Sequence, residues 1–206
     1  TNLGDLVADA YRVVMGADIG MVNGGGIRAD IEAGDVTYED IINVHPYGNE
    51  MCLAEATGQE ILDALELGAM NSPYEDGGFQ HVSGLTYTID VSIPSSVVLD
   101  DEGSFVGVTG AYRVTNVLVD GKPLDLDATY TVASHNYMIK QGGSGFNMFM
   151  DNTLLQDCTM LDNQLLIDYI TDHLGGNIGS EYADPYGSGR IQIVGAEAAA
   201  EMQEAA

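Results

Sequence analysis

Three consecutive glycines follow a short apolar run near the start of the chain, and this combination constrains the fold more than any other feature. Residues 19–22 (I-G-M-V) are apolar and few enough for a buried strand, whereas the following N-G-G-G segment lets the backbone turn sharply and approach a ligand closely. A strand that ends in such a loop is a common place for a binding site. The stretch at residues 23–28, with Asn23 and Gly25, is therefore the first candidate site.

Arg28 closes this stretch and is one of only six cationic side chains, against 32 carboxylates. A guanidinium offers a planar fork of donors to phosphate or carboxylate and keeps its charge. This predicts an anion site. The alternative is a tight turn in which Arg28 pairs with Asp30 or Glu32, and the stretch alone does not separate the two interpretations.

Composition excludes several classes of partner. The 206 residues fit one large domain or two small ones and suffice for a real core, and 45% of them are hydrophobic. The net charge of -26 argues against a nucleic-acid duplex or an anionic membrane surface, because both bind through clustered Lys and Arg. No apolar run approaches the roughly 20 residues that span a bilayer. We therefore expect neither nucleic-acid binding nor membrane insertion.

Periodicity and capping signals predict a mixture of helices and strands. Capping boxes at Thr37/Asp40 and Thr57/Glu60 indicate two helix starts. Residues 93–103 are expected to form an irregular surface insertion, and the Ala/Glu-rich tail at 195–206 is expected to fray or be disordered, which leaves residues 1–194 as the domain. Helices are predicted at residues 3–15, before Pro46, at 57–69 and at 162–174, and strands at 19–22, 50–56, 85–89, 114–119, 129–133 and 190–194.

No metal site is predicted in this chain. Cys52 and Cys158 lie far apart and belong to no CxxC pair, so zinc chemistry is poorly supported, and they could be two buried thiols or one disulfide. Residues 100–102 are acidic but lack the pattern of a calcium loop. Four histidines without metal-ligand spacing are expected to be structural: His45, His81, His135 and His173.

An ordered set of motifs carries a family resemblance. N-G-G-G-I-R at residues 23–28 is followed by I-E-A-G-D-V-T-Y-E-D at 31–40, P-Y-G-N at 46–49 and G-G-S-G-F at 142–146. Together these motifs resemble the C-terminal domain of the 5'-nucleotidase family, which includes UDP-sugar hydrolases and cyclic-nucleotide phosphodiesterases. The resemblance covers nearly the whole chain and implies an α+β single domain with a mixed sheet packed by helices.

The resemblance also implies roles for single residues. Arg28 matches an arginine that contacts the anionic part of the substrate, and Asn23 matches a position near the base. Tyr47 and Tyr137 match two aromatics that sandwich the nucleobase, although the spacing from Tyr137 to Gly142 is one residue longer than in some relatives. Each stack would contribute about 1–3 kcal/mol with little discrimination between bases.

Ser144 departs from the family pattern. Many members have G-G-D where this chain has G-G-S, and the acid bonds to the ribose hydroxyls. A serine still bonds a hydroxyl but loses the roughly twofold strength of a charge-assisted bond. Ser144 is therefore a substrate-binding candidate with a weakened interaction.

The resemblance assigns the chemistry to another domain. In the family, an N-terminal metallophosphoesterase domain of the same polypeptide holds two divalent metal ions and the catalytic residues, and the C-terminal domain binds the nucleotide. This chain, which opens at Thr1 without Met, would be the second half of such a hydrolase, inactive alone and extracellular, cell-surface or periplasmic. The alternatives are a non-catalytic surface binding module that keeps the fold, and a thiosulfate-handling hydrolase, against which the two candidate stacking aromatics argue.

Overall fold

The computed structural model describes residues 1–196, so the predicted tail at 195–206 lies almost wholly outside the described residues. Within residues 1–196 the helices are α1 (Asn2–Met15), α2 (Tyr38–Val44), α3 (Gly58–Ala69), α4 (Asn136–Ile139) and α5 (Asp162–Asp168). The strands are β1 (Ile19–Asn23), β2 (Met51–Thr57), β3 (Gln80–Ser83), β4 (Leu85–Asp90), β5 (Val97–Leu99), β6 (Phe105–Val108), β7 (Val114–Val119), β8 (Lys122–Pro123), β9 (Thr129–His135), β10 (Leu154–Gln156) and β11 (Ile191–Val194). Single turns of 3₁₀ helix lie at Gly24–Gly26, Gly143–Gly145, Asn147–Phe149 and Ser180–Tyr182, and a π-helical turn (Tyr169–His173) continues α5.

A five-stranded mixed sheet forms the centre, with the strand order β10-β2-β9-β1-β3. Only β1 and β9 are parallel, and the other neighbours are antiparallel. Successive residues of a strand point to opposite faces, so Met21 packs into a cluster with α3 and the second sheet, whereas Val22 packs with α1, α2 and α5. This arrangement confirms the expected α+β single domain with a mixed sheet packed by helices.

A second sheet, ordered β11-β4-β7-β8, covers one face of the core. The irregular insertion predicted at residues 93–103 is instead partly a hairpin, because β5 pairs antiparallel with β6. The Asn147 side chain holds this hairpin, since its Oδ1 accepts from Phe105 N at 3.0 Å and its Nδ2 donates to Phe105 O at 3.1 Å. Such long-range pairing has no local sequence signal.

Both predicted capping boxes are present. The Thr37 hydroxyl accepts from Asp40 N while the Asp40 carboxylate accepts from Thr37 N, and Thr57 and Glu60 repeat this exchange. Each box satisfies two backbone donors that a helix start would otherwise leave unpaired. No helix in residues 1–196 is long and apolar enough to cross a membrane.

Sheet topology brings four connections to one edge of the central sheet. Because β1 and β9 are parallel, their carboxyl ends leave the sheet on the same side. Strands β2 and β3 run antiparallel to these neighbours and therefore begin on that side, with Met51 opposite His135 and Gln80 opposite Asn23. This edge, here called the loop edge, carries residues 23–28, 45–50, 76–79 and 135–146.

Candidate functional site

The first glycine loop lies directly against residues 76–79. Gly24 N donates to Phe79 O at 2.7 Å, and Gly25 N donates to Gly77 O at 2.9 Å. A Cβ on Gly25 would lie 3.1 Å from Gly77 O and 3.2 Å from Gly77 Cα, which are backbone atoms that cannot swing away. Glycine at position 25 therefore permits the close approach of the two loops.

Asn23 organises this loop from inside. Its amide is buried, Nδ2 donates to Gly77 O at 2.9 Å, and Oδ1 accepts from His135 Nε2 at 3.0 Å. Burial, and then the nearby His45, lowers the pKa of His135 to about 4, so this histidine is neutral near pH 7. Asn23 thus ties the end of β1 both to the loop at 76–79 and to the end of β9.

Arg28 is exposed beside the same loop. Its backbone N donates to Val44 O at 3.0 Å, and its Nη1 lies 3.5 Å from Gly25 O. Arg28 forms no salt bridge with a carboxylate of residues 1–196, so the alternative pairing with Asp30 or Glu32 does not occur there. Its guanidinium donors therefore face solvent at the loop edge.

Three of the other cations have firm partners. Arg113 donates to the carbonyl groups that end α3, Lys140 pairs with Asp157, and Arg190 pairs with Asp9. In a chain with a net charge of -26, an unpaired arginine stands out as a place where an anion can bind. The position of Arg28 fits such a role.

Tyr47 lies on the exposed P-Y-G-N turn, with 61% of its surface accessible. The preceding His45 is buried beneath the first glycine loop, where its Nδ1 donates to Gly26 O at 3.1 Å. Burial lowers the pKa of His45 to about 4, against the effect of this hydrogen bond. A neutral imidazole therefore fixes the start of the turn that presents Tyr47.

The second glycine loop depends on left-handed backbone conformations. Gly142, Ser144 and Gly145 have φ of 61°, 56° and 88°, a region that favours glycine and is unusual for serine. The Tyr137 hydroxyl lies 3.2 Å from Ser144 Oγ. A Cβ on Gly143 would overlap the Tyr137 ring, so the ring packs directly on the loop backbone.

These contacts connect most of the residues that the sequence singled out. Asn23, Gly25 and Arg28 belong to one loop, and the segment at 76–79 joins that loop to Ser144, since Gly78 is its neighbour. The Tyr137 ring lies 6.0 Å from the His135 ring. In the described part of the chain, no direct ring contact joins Tyr47 to Tyr137.

Sequence reasoning gave residues 76–79 no role in the site. It predicted His45 and His135 to be structural, which their burial and hydrogen bonds confirm, but it did not identify their partners. The D-G-G turn at 76–78 was a signal for a close backbone approach. The hydrogen bonds of the two histidines join residues far apart in sequence and have no local signal.

A cavity of about 150 Å³ lies beside residues 76–79 of the loop edge and is lined by Asp5, Phe79 and Arg190. Arg190 Nη2 donates to Asp9 Oδ2 at 2.7 Å, and Nη1 donates to Val82 O at 3.0 Å. Burial would raise the pKa of Asp9, but hydrogen bonds from Arg190 and Ser83 outweigh it and lower this pKa. The cavity therefore flanks an ion pair that anchors the last strand, and we interpret it as structural.

The loops, the mixed sheet and the motifs are those of a 5'-nucleotidase C-terminal domain. The family described as "5'-nucleotidase, C-terminal domain" matches residues 1–151. The chain belongs to this family.

Individual relatives agree with this assignment. The chain is 32% identical over 199 residues to the trifunctional nucleotide phosphoesterase protein YfkN of Bacillus subtilis, covering 94% of this chain and 12% of that protein. It is 34% identical over 172 residues to a 5'-nucleotidase of Vibrio cholerae, and the match covers 82% of this chain and 27% of that protein. The crystal structure of a 5'-nucleotidase precursor from Thermus thermophilus superposes with a TM-score of 0.75 at 32% identity, covering 94% of this chain and 35% of that one. The chain thus spans about a third or less of the length of these relatives.

Proposed function

We propose that this chain is the nucleotide-recognition domain of a two-domain, metal-dependent phosphohydrolase that releases phosphate from nucleotides. The observation that carries the proposal is the meeting of four loops, at residues 23–28, 45–50, 76–79 and 135–146, on one edge of the sheet. Three of them bear a cation, exposed or half-buried aromatic rings and a hydroxyl, which are the groups that a nucleotide requires.

Each side chain has a distinct proposed role. Arg28 orients the anionic part of the ligand through its unpaired guanidinium. Tyr47 and Tyr137 stack on the base, and Ser144 bonds a ribose hydroxyl. Because its amide is engaged inside the protein, Asn23 holds the glycine loop in place instead of donating to the base.

The metal chemistry is proposed to lie in an N-terminal metallophosphoesterase domain of the same polypeptide. The two histidines at the loop edge, His45 and His135, are buried and hydrogen bonded to Gly26 O and Asn23. This leaves them unsuited to hold an ion at the surface of the site. In that other domain, metal ions would activate the attacking water, while this chain binds and orients the substrate.

Titration of adenosine and AMP, followed by tyrosine fluorescence, tests the proposal. Saturable binding is expected, and Tyr47→Ala should weaken it by about 5- to 150-fold, which corresponds to a lost stack of 1–3 kcal/mol. Tyr186→Ala is the matched control, because Tyr186 is also exposed but lies outside the loop edge. Absence of a saturable signal would contradict the proposal and favour a non-catalytic binding module.

The division of labour has its own test. This chain alone should release no phosphate from AMP with any added divalent metal, and metal-dependent release by the pure chain would refute it. In the complete polypeptide, Arg28→Ala should raise KM for AMP while the metal content stays unchanged. We propose export to the cell surface, periplasm or medium for the complete protein, which fractionation would test.

A further inference from the structure

Two cysteines that are remote in sequence meet at the end of the central sheet. Cys52 lies in β2 and is buried, and Cys158 lies half-buried in the connection between β10 and α5. Leu53 pairs with Gln156 on one side of them, and Met51 N donates to Met160 O at 2.8 Å on the other. The bulge at residues 157–158 therefore lies opposite Cys52.

The bulge adds a carboxylate to the two sulfurs. Cys52 Sγ, Cys158 Sγ and a carboxylate oxygen of Asp157 all lie within 4.8 Å of one another. Donors around a tetrahedral zinc ion, at about 2.3 Å for sulfur and about 2.0–2.2 Å for oxygen, are separated by about 3.5–3.8 Å. Because no pair of these atoms is more than 4.8 Å apart, closing around an ion requires a shift of at most about 1 Å in the connection that carries Asp157 and Cys158.

We propose that Cys52, Cys158 and Asp157 form a binding site for a thiophilic divalent cation of the zinc class. Two thiolates and a carboxylate are soft and hard donors that zinc accepts together. The fourth ligand is water, as is common where a zinc ion has three protein ligands. Binding releases two protons, one from each thiol, and involves no change of oxidation state.

The charges around the cluster balance when the ion is bound. Lys140 Nζ donates to Asp157 Oδ1 at 2.6 Å and lies 3.7 Å from Cys158 Sγ. Two thiolates and the Asp157 carboxylate carry three negative charges, while a divalent ion and Lys140 carry three positive ones. A neutral cluster is the arrangement that costs least at the edge of an apolar core.

Both cysteines are free thiols in the structure, with the Asp157 carboxylate close to the two sulfurs. A divalent cation is attracted by this carboxylate and stabilises the thiolates directly.

The site also lies close to the proposed nucleotide site. Glu50 directly follows the P-Y-G-N turn, and its backbone is hydrogen bonded to Asn136, the first residue of α4. Helix α4 carries Tyr137, and Lys140 directly follows the last residue of this helix. An ion here would join β2, the 157–158 bulge and, through Lys140, the segment that presents Tyr137.

Cobalt titration of the reduced, chelator-treated chain tests the proposal. Thiolate-to-cobalt charge transfer absorbs in the near ultraviolet only when sulfur is a ligand, and this chain has two cysteines. We expect this absorption to saturate at one Co²⁺ per chain, to be bleached by Zn²⁺, and to vanish in Cys158→Ser. Zinc should raise the Tm of the parent chain and leave the Tm of Cys158→Ser unchanged.

A second pair of variants tests the proposal even if Cys158→Ser folds poorly. Asp157→Asn should lower the affinity for Co²⁺ by at least about 10-fold, the loss seen when even a supporting group of a metal site is removed. Asp151→Asn, which changes an exposed carboxylate outside the cluster, should leave the affinity unchanged. The proposal would be overturned if the chain with both thiols reduced showed no sulfur-to-cobalt absorption. It would also be overturned if Asp157→Asn bound Co²⁺ as tightly as the parent chain does.

Discussion

Ser144 has a backbone conformation that aspartate adopts more readily than serine. Its φ of 56° lies in the left-handed region, where Asp and Asn are several-fold enriched over other residues with a Cβ. Ser144→Asp therefore introduces little strain and supplies a charged acceptor for ribose. We expect adenosine to bind about 5-fold more tightly, because a hydrogen bond to a charged group contributes about 1 kcal/mol more than a neutral one.

Calorimetric titration with two ligands checks this prediction. 2',3'-Dideoxyadenosine lacks the hydroxyl groups and should bind Ser144→Asp no better than it binds the parent chain. An equal gain for both ligands would place the added carboxylate away from the ribose and contradict the assigned role of Ser144.

Gly25 lies where the backbones of the two loops leave little room for a side chain. In Gly25→Ala the new Cβ would meet backbone atoms of Gly77 at 3.1–3.2 Å, so one loop must move. We expect nucleoside affinity to fall by at least about 10-fold, as small displacements of binding groups commonly have large effects. Gly107→Ala is the control, because a Cβ there meets nothing within 4 Å. Equal affinities of Gly25→Ala and the parent chain would contradict this role of the glycine.

At the scale of elements, the hairpin of β5 and β6 is held to the second glycine loop by Asn147. Asn147→Ala removes two hydrogen bonds to the Phe105 backbone and leaves both backbone groups without their partner. The free energy of unfolding should fall by about 1–3 kcal/mol. Urea denaturation measures this change, and Asn43→Ala, at an exposed helical position, should have an effect within about 0.5 kcal/mol. Equal effects would mean that the hairpin is held by other contacts.

Local signals decided which elements the sequence predicted. The capping boxes of α2 and α3 and the helical spacing of α1 are encoded within a few residues, and all three helices were predicted. The short strands β3 and β10 were not predicted. Strand β3 is buried along its whole length yet rich in polar residues, and β10 has only three residues. Their strand character comes from pairing with β1 and β2.

The candidate site shows the same division. Its loops carry motifs, so Asn23, Arg28 and Tyr47 were predicted from sequence together with the second glycine cluster. The hydrogen bonds of the buried Asn23 side chain to His135 and Gly77 were not predicted, since they depend on which strands are neighbours. The meeting of Cys52 with Cys158 depends on β2 pairing with β10 and was hidden for the same reason.

For the whole molecule, buried titratable groups set a dependence of stability on pH. Burial lowers the pKa of His45, His81 and His135 from 6.5 to about 4, and it raises the pKa of Asp162 from 3.8 to about 6. Between these values the unfolded chain binds three imidazolium protons that the folded chain lacks, and the folded chain keeps one carboxyl proton. Unfolding therefore takes up about two protons, and the free energy of unfolding should fall by about 2.7 kcal/mol per unit as pH falls from 6 to 4.

Urea denaturation at several pH values measures this slope. His81→Gln removes one of the three histidines and should reduce the slope by about 1.4 kcal/mol per pH unit. Asn43→Ala, which changes an exposed residue and removes no titratable group, should leave the slope unchanged. A free energy of unfolding that is flat between pH 6 and 4 would show that the buried histidines titrate normally.

The four loops of the loop edge are proposed to form one nucleoside site. A two-dimensional NMR titration of this chain with adenosine tests this proposal, because every backbone amide reports its own surroundings. We expect saturable shifts concentrated in residues 23–28, 45–50, 76–79 and 135–146, with one common dissociation constant. Shifts centred elsewhere, or none at millimolar adenosine, would contradict the proposal.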